Sequence, residues 1–345
     1  MQRERLRLYA RIVAAAAIVG ALFGARLGMQ SDALPLSLLV GIVDAVLIAG
    51  TLAGIEIFLL REGSSMRRLL GLPFVLVVAL KTAAYGLICA LVITGIPRLL
   101  TALLGPGSVA PVAPRVEAIL VVLSLAMTLI FVVFQQAASL VGRRTFRNLV
   151  LGRYRRPRSE RRFFLFVDVV GSTAIAERLG PLQAHRFLAA VYSAAAEPVA
   201  ACAGEIYQYV GDEMVVTWTE AEGLPDARPL RCFFEIEAAL AREAARFRSE
   251  FAVEPGLRGA LHLGEVIAGE VGELRRAIVY HGDVMNTAAR LEQATRDAGV
   301  RFIASAAALD ALGRPGDLAY RDLGALALRG RAEALPAWSV EAATK

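Results

Sequence analysis

Phe163-Phe164-Leu165-Phe166-Val167-Asp168-Val169-Val170-Gly171-Ser172-Thr173 is the stretch on which the fold of this chain turns. Its run of apolar residues with strong β character predicts a strand buried on both faces. Asp168 stands where the strand runs out, and Gly171-Ser172-Thr173 leads into a helical pattern over Ala174–Leu179 that Ser172 or Thr173 can cap. The free N–H groups of a first helical turn suit a phosphate. A carboxylate beside them makes chemical sense if a divalent cation sits between carboxylate and phosphate. A strand-end aspartate can also do no more than steady a turn. Partners further along the chain decide for the cation.

Upstream the composition changes character. The chain has 345 residues, 56% of them apolar, and its mean hydropathy of +0.53 is too high for one soluble domain. The excess lies before residue 142, in apolar segments at about 8–29, 34–60, 69–96 and 116–141, each long enough to span a bilayer. The first runs uninterrupted only from Ile12 to Ala25 and has a cleaved signal peptide as its alternative. Arg3, Arg5, Arg7, Arg11, Arg61, Arg67 and Arg68 fall on one side, against Arg26, Arg98 and Arg115 on the other. By the positive-inside rule this predicts a multi-pass protein of the inner (cytoplasmic) membrane with both termini cytoplasmic. Within the spans, Lys81 is expected to pair with Asp44 or Glu56. Ala16, Gly20, Gly24 and Gly28 form a small-residue ladder, repeated at Gly50 and Gly54, that suits close helix contact and dimerisation.

Between the spans and the strand, residues 142–162 carry nine arginines against the single Glu160. Directly after a cytoplasm-facing span, such a linker is expected on anionic lipid headgroups, and its position argues against nucleic acid. Arg143–Leu151 can be helical, and Pro157 ends any helix there. Cys89, Cys202 and Cys232 are odd in number and widely spaced, so they predict neither a disulfide framework nor a metal site. His185, His262 and His281 show no ligand spacing.

Downstream, residues 163–345 have the length of one mixed α/β domain. Helices are expected at 173–179 and 182–201, then strands Ile206–Val210 and Met214–Trp218 around Gly211-Asp212-Glu213. A long helix over 229–250 and strands at 257–263 and 276–280 follow. The order β-α-β-β-α-β is the ferredoxin-like arrangement, so the predicted fold is an α+β ferredoxin-like domain behind an all-α four-helix transmembrane domain. In that arrangement strands one and three are neighbours, which brings Asp212 beside Asp168. Two such carboxylates can hold two cations for in-line displacement at phosphorus. In Gly282-Asp283-Val284-Met285-Asn286-Thr287-Ala288-Ala289-Arg290, Asn286 and Arg290 share a helical face. That pair can orient a sugar and stabilise charge at a pentavalent phosphorus. Leu328-Arg329-Gly330-Arg331 can hold a polyphosphate tail or flank a hairpin.

Together these motifs resemble the class III nucleotidyl cyclases, the family of most adenylate and guanylate cyclases. The resemblance covers about 163–340 and rests on Phe166-x-Asp168-Val169-x-x-Ser172-Thr173, Gly211-Asp212, Asn286-x-x-x-Arg290 and Arg329-Gly330-Arg331. It implies that Asp168, Asp212 and the Val169 carbonyl bind two Mg²⁺ or Mn²⁺ ions, with phosphates near Val170, Gly171, Ser172 and Thr173. Asn286 would position the ribose, Arg290 would stabilise the transition state, and Arg331 would hold the terminal phosphates. The expected reaction takes ATP to 3′,5′-cyclic AMP and pyrophosphate in a membrane-bound homodimer with shared sites. At the base-reading positions the family's usual Lys and Asp or Thr are replaced by Gln208 and Val279, which leaves GTP and pyrimidine nucleotides open as substrates. Two alternatives stand beside this. Val210-Gly211-Asp212-Glu213-Met214 is similar to the GGDEF signature of diguanylate cyclases, differing at two of five positions. A catalytically silent membrane sensor with a cyclase-like domain is the other.

Overall fold

The computed structural model describes residues 2–29, 34–59, 72–105, 113–328 and 333–343, and the chain divides into two compact units, Met1–Val141 and Gly142–Lys345. The first unit holds helices α1 (Gln2–Gly28), α2 (Leu34–Gly54, continued by a π-helical turn Ile55–Leu59), α3 (Phe74–Leu104) and α4 (Pro114–Val141). Four stretches within them, Leu6–Arg26, Ser37–Phe58, Phe74–Leu103 and Pro114–Val141, are long and apolar enough to cross a membrane. The third outruns the expected end near residue 96, because α3 continues through Pro97. Arg98 therefore lies on the helix, where its guanidinium meets Glu117 of α4 at 2.7 Å.

The small-residue ladder joins two helices of this same chain, where the sequence pattern suits a dimer contact. A Cβ on Gly41 of α2 would lie 2.3 Å from the Gly20 carbonyl oxygen, and one on Gly24 would lie 2.3 Å from that of Ser37. Only residues without side chains allow backbones this close. Of its two expected partners Lys81 takes Glu56, at 2.7 Å, and the Tyr85 hydroxyl donates to the same carboxylate oxygen at 2.5 Å. Asp44 stays outside the pair, with Oδ1 buried and unpartnered.

The second unit contains, in order, α5 (Arg143–Val150), β1 (Arg158–Val169), α6 (Ser172–Leu179), α7 (Pro181–Ala201), β2 (Glu205–Val210), β3 (Glu213–Thr219), α8 (Arg228–Arg242), α9 (Ala244–Phe251), β4 (Leu257–Val271), β5 (Ala277–His281), α10 (Asp283–Asp297), β6 (Phe302–Ser305), α11 (Ala306–Leu312), β7 (Leu318–Leu326) and β8 (Leu335–Ala342). The sheet runs β2-β3-β1-β4-β6-β8-β7, with β5 paired to β4. Its first four strands, all antiparallel, are the ferredoxin-like core that the sequence predicts.

β1 is central and feeds both faces. Phe163, Leu165 and Val167 point into the larger core with Phe187, Trp218, Phe233 and Phe247, under α7 to α9. Phe164 and Phe166 point the other way, with Tyr154, Val215, Tyr280 and Ala288, under β5 and α10. The expected helix over 229–250 is broken at Glu243 (φ −94°, ψ 5°). The break turns Phe247 and Phe251 onto the Phe187 ring, at 5.8 and 5.5 Å between centroids. β4 runs eight residues past the expected end at 263, since its second half pairs with both the start of β1 and β5.

The arginine-rich stretch is partly folded into this unit. Arg162 is 1% exposed, and its guanidinium reaches Thr217 Oγ1 (3.2 Å), Glu160 (3.0 Å) and Glu205 (3.6 Å) while lying 4.6 Å from the Tyr280 ring centroid. Arg144 of α5 pairs with Glu205 and Glu222, and Arg161 pairs with Glu220. Four acidic residues of the domain thus take up charge that, in sequence, reads as free for lipid.

Candidate active site

The antiparallel ladders set the site. Asp168 on β1 lies opposite Glu213 on β3 and Arg258 on β4. Residues directly opposite in a sheet share a face, so Glu213, Asp168 and Arg258 form one rung on the side covered by α10. Val210 and Glu213 close the β2–β3 hairpin, leaving Gly211-Asp212 as its tip. Gly211 has φ +63°, a left-handed conformation that a two-residue hairpin turn needs and glycine supplies without strain. Tyr192 of α7 ties down the tip by donating its hydroxyl to the Gly211 carbonyl at 2.8 Å.

Asp212 is thereby held against Asp168, as the sequence predicts. The Ser172 hydroxyl donates to Asp212 Oδ2 and does not cap α6. The capping expectation fails because Gly171, in the left-handed region, is the residue preceding the helix, which leaves Ser172 inside it and facing the hairpin tip. Burial first, then the charge of Asp212, pushes the Asp168 carboxyl up to about 6. Burial also acts to raise Asp212, but the hydrogen bond from Ser172 and that with Asp168 outweigh it and hold its carboxyl below the usual value. Glu213 is pushed up to about 7 by burial and by the nearby Glu292, Asp168 and Asp212. Such crowding of negative charge is relieved by a cation.

The donor set fits a hard divalent cation. Asp168 and Asp212 offer acceptor-only carboxylates, and the adjoining Val169 a carbonyl at the end of β1. Among the described residues no cluster of three or more His, Cys, Asp or Glu has metal-binding geometry. The remaining coordination positions would fall to substrate phosphates and water, as is usual for Mg²⁺.

Asn286 and Arg290 lie on α10, exposed and half-buried respectively. Among the described residues neither has a hydrogen-bond or ion-pair partner. Arg296, further along the same helix, reaches Asp168 with Nη2 at 3.2 Å from Oδ2. At 1.5 Å per residue, Arg290 lies about 9 Å and Asn286 about 15 Å back along the axis from Arg296. Among the described residues, Arg296 is the side chain of α10 that reaches the carboxylate pair.

Gln208 and Val279 are both half-buried, on β2 and β5. The neighbouring Tyr207 and Tyr280 rings sit 5.0 Å apart and bring the two strands together. β2 is bulged between Ile206 and Gln208, a shift with no signal in the sequence pattern. The Val170 amide already donates to the Gly256 carbonyl at 2.9 Å, which leaves Gly171, Ser172 and Thr173 as the backbone donors for a phosphate. Arg331 lies outside the described residues. His262 is buried and shares a hydrogen bond with Ser305 at 2.8 Å, a structural role.

Sequence reasoning does not find Glu213, Arg258, Glu292 and Arg296. The one available signal is the four-residue spacing of Glu292 and Arg296, which is common on any solvated helix.

The family model described as adenylate and guanylate cyclase catalytic domain matches residues 156–340. Adenylate cyclase 2 of Rhizobium meliloti (strain 1021) is 37% identical over 229 residues, covering 66% of this chain and 62% of that protein. That stretch is longer than the catalytic unit and so reaches into the membrane half. Adenylate cyclase 1 of the same organism is 29% identical over 180 residues, 51% of this chain and 27% of that one. The chain therefore aligns with less than two thirds of either relative. A solved structure of a bacterial light-regulated adenylyl cyclase superposes with a TM-score of 0.53 at 20% identity, over 68% of this chain and 67% of that one, and shares the fold.

Proposed function

The chain belongs to the adenylate and guanylate cyclase catalytic-domain family, and from that membership we propose that it is a membrane-bound cyclase that converts ATP to 3′,5′-cyclic AMP and pyrophosphate. The observation that carries the reaction type is the mutually crowded pair of the buried Asp168 and the half-buried Asp212 at the end of β1, beside the first turn of α6. Support for ATP comes from the relatives named adenylate cyclases.

In this reading Asp168, Asp212 and the Val169 carbonyl hold Mg²⁺ or Mn²⁺, which when bound lowers the electrostatic cost of bringing the 3′-oxygen to the α-phosphorus. The amides of Gly171, Ser172 and Thr173 donate to the phosphates at the helix start. Ser172 keeps the Asp212 carboxylate turned toward Asp168. Asn286 orients the ribose, and Arg290 stabilises the charge that builds on the phosphorus oxygens. Arg331 takes the terminal phosphates. Among the described residues Asn286 and Arg290 make no contact with the carboxylates of their own chain, and in this reading a complete site takes the aspartates from one chain and the amide–arginine pair from a second copy. The protein is then a homodimer with two equivalent sites. Both termini face the cytoplasm, and the arginines of α5 and its following loop not paired within the domain, Arg147, Arg155 and Arg156 among them, lie toward the headgroups.

Gln208 and Val279 adjoin one ring pair, where they read the base. An amide can serve either purine and a valine neither. Incubation of the purified full chain with each of the four nucleoside triphosphates and Mn²⁺, with products identified by mass spectrometry, tests the assignment. Cyclic AMP as the main product supports it. Formation of a cyclic dinucleotide from GTP, or no product from any nucleotide, would replace it with one of the alternatives.

A further inference from the structure

The ion pair between Arg296 and Asp168 stands where a bound cation would act. Asp168 is 5% exposed, while the Arg296 side chain is 57% exposed. A guanidinium 3.2 Å from Oδ2 occupies an oxygen that a divalent cation would need. One turn earlier on α10, Glu292 is 4% exposed, and its Oε1 is buried with no hydrogen-bond partner. The Arg258 Nε, on the strand position opposite Asp168, is buried and unpartnered as well. A buried carboxylate oxygen left unpaired is costly, so the native protein in some state fills it.

Glu292 and Arg296 are four apart, with the acid nearer the helix amino end, which is the favourable order for an i, i+4 pair. The cluster as a whole consists of Glu213, Asp168 and Asp212 from the sheet and the hairpin tip, Glu292 and Arg296 from α10, and Arg258 from β4. It offers Arg296 two alternative acceptors, Asp168 and Glu292.

We infer that Arg296 exchanges acceptors when the site takes up its divalent cation, leaving Asp168 for Glu292, so that this pair on α10 sets the affinity of the carboxylates for the cation. With no cation, Arg296 neutralises Asp168 and limits the repulsion from Asp212. With a cation present, Arg296 is displaced, and the unsatisfied Glu292 oxygen receives it. Arg296 is thus a competitor for the site and Glu292 a positioning residue that acts through it. The inference rests on Asp168 and Asp212 as the cation ligands.

Mn²⁺ binding to the purified full chain, followed by electron paramagnetic resonance without nucleotide, tests this independently of turnover. Arg296→Ala should tighten Mn²⁺ binding by about threefold to tenfold, the range for loss of a partly exposed charge-assisted contact. Glu292→Gln should weaken binding several-fold in the parent but much less in the Arg296→Ala background, since its effect runs through the arginine. Arg296→Lys should restore most of the competition. Unchanged or weaker Mn²⁺ binding in folded Arg296→Ala would overturn the exchange. An equal loss from Glu292→Gln in both backgrounds would make Glu292 a direct contributor of negative charge and remove its positioning role. If Asp168→Ala binds Mn²⁺ as the parent does, the carboxylate assignment fails, which is distinguishable from failure of the exchange.

Discussion

Replacing Arg162 by methionine tests how the amino-terminal part of the catalytic unit is held. The guanidinium is 1% exposed and serves Glu160, Glu205 and Thr217 while stacking on Tyr280. Removing one partner of a buried ion pair typically costs about 3–5 kcal/mol, because the other charge stays buried and unpaired. Here the remaining acids are not abandoned. Glu160 keeps the Tyr154 hydroxyl and Arg153, and Glu205 keeps Thr145 and Arg144. Methionine also retains most of the packing against Tyr280. The expected cost is therefore at the lower end, about 3 kcal/mol. For a unit of this size that lowers Tm by roughly 6–12 °C. The two tryptophans of the chain, Trp218 and Trp338, both lie in the catalytic unit, and Trp218 is fully buried beside Thr217, so tryptophan emission during heating reports this unit alone. Glu205→Gln should cost less in the Arg162→Met background than in the parent, because Arg162 is one of the charges that Glu205 serves. A Tm within about 2 °C of the parent, or full additivity of the two substitutions, would refute the network.

Gly41→Ala should destabilise the membrane half by about 1–3 kcal/mol, since the new Cβ meets the Gly20 carbonyl. Gly95→Ala, with open space at that point, should leave the midpoint of detergent denaturation unchanged. Arg290→Ala should lower kcat by about 10²–10³-fold with little change in KM, as expected for a group that acts on transition-state charge; steady-state kinetics showing a change in KM alone would contradict the role. Discrimination between ATP and GTP should be weaker than in a cyclase with charged base readers, because an apolar reader such as Val279 rejects neither purine, and competition kinetics measure this directly.

The parts of this account legible in sequence are those that local pattern controls. The second half of β1 reads correctly because alternate residues of Phe163–Val167 serve two cores, whereas its first residues, Arg158–Arg162, read as linker because their charge hides their pairing with β4. The hairpin reads correctly because Gly211-Asp212 is a local turn signal. β4 reads short because Gly264 and Gly269 interrupt its apolar run, although pairing with both β1 and β5 keeps it extended. Arg162 reads as linker charge, since nothing nearby in sequence announces Glu205 or Tyr280 as its partners. The small-residue ladder reads as a contact surface, but only the structure shows its partner to be α2 of the same chain. In the site, Asp168, Asp212, Asn286 and Arg290 stand out by motif. Arg296 matters through a contact 128 residues away in sequence, which periodicity does not encode.

The central claim is that the carboxylate pair of one chain works with Asn286 and Arg290 of another. Co-expression of Asp168→Ala with Arg290→Ala, each inactive alone, tests it most directly. A mixed dimer collects both lesions in one site and leaves the other intact, so random pairing should restore roughly a quarter of parental activity. No recovery in preparations shown by differential tagging to contain mixed dimers would contradict the shared site.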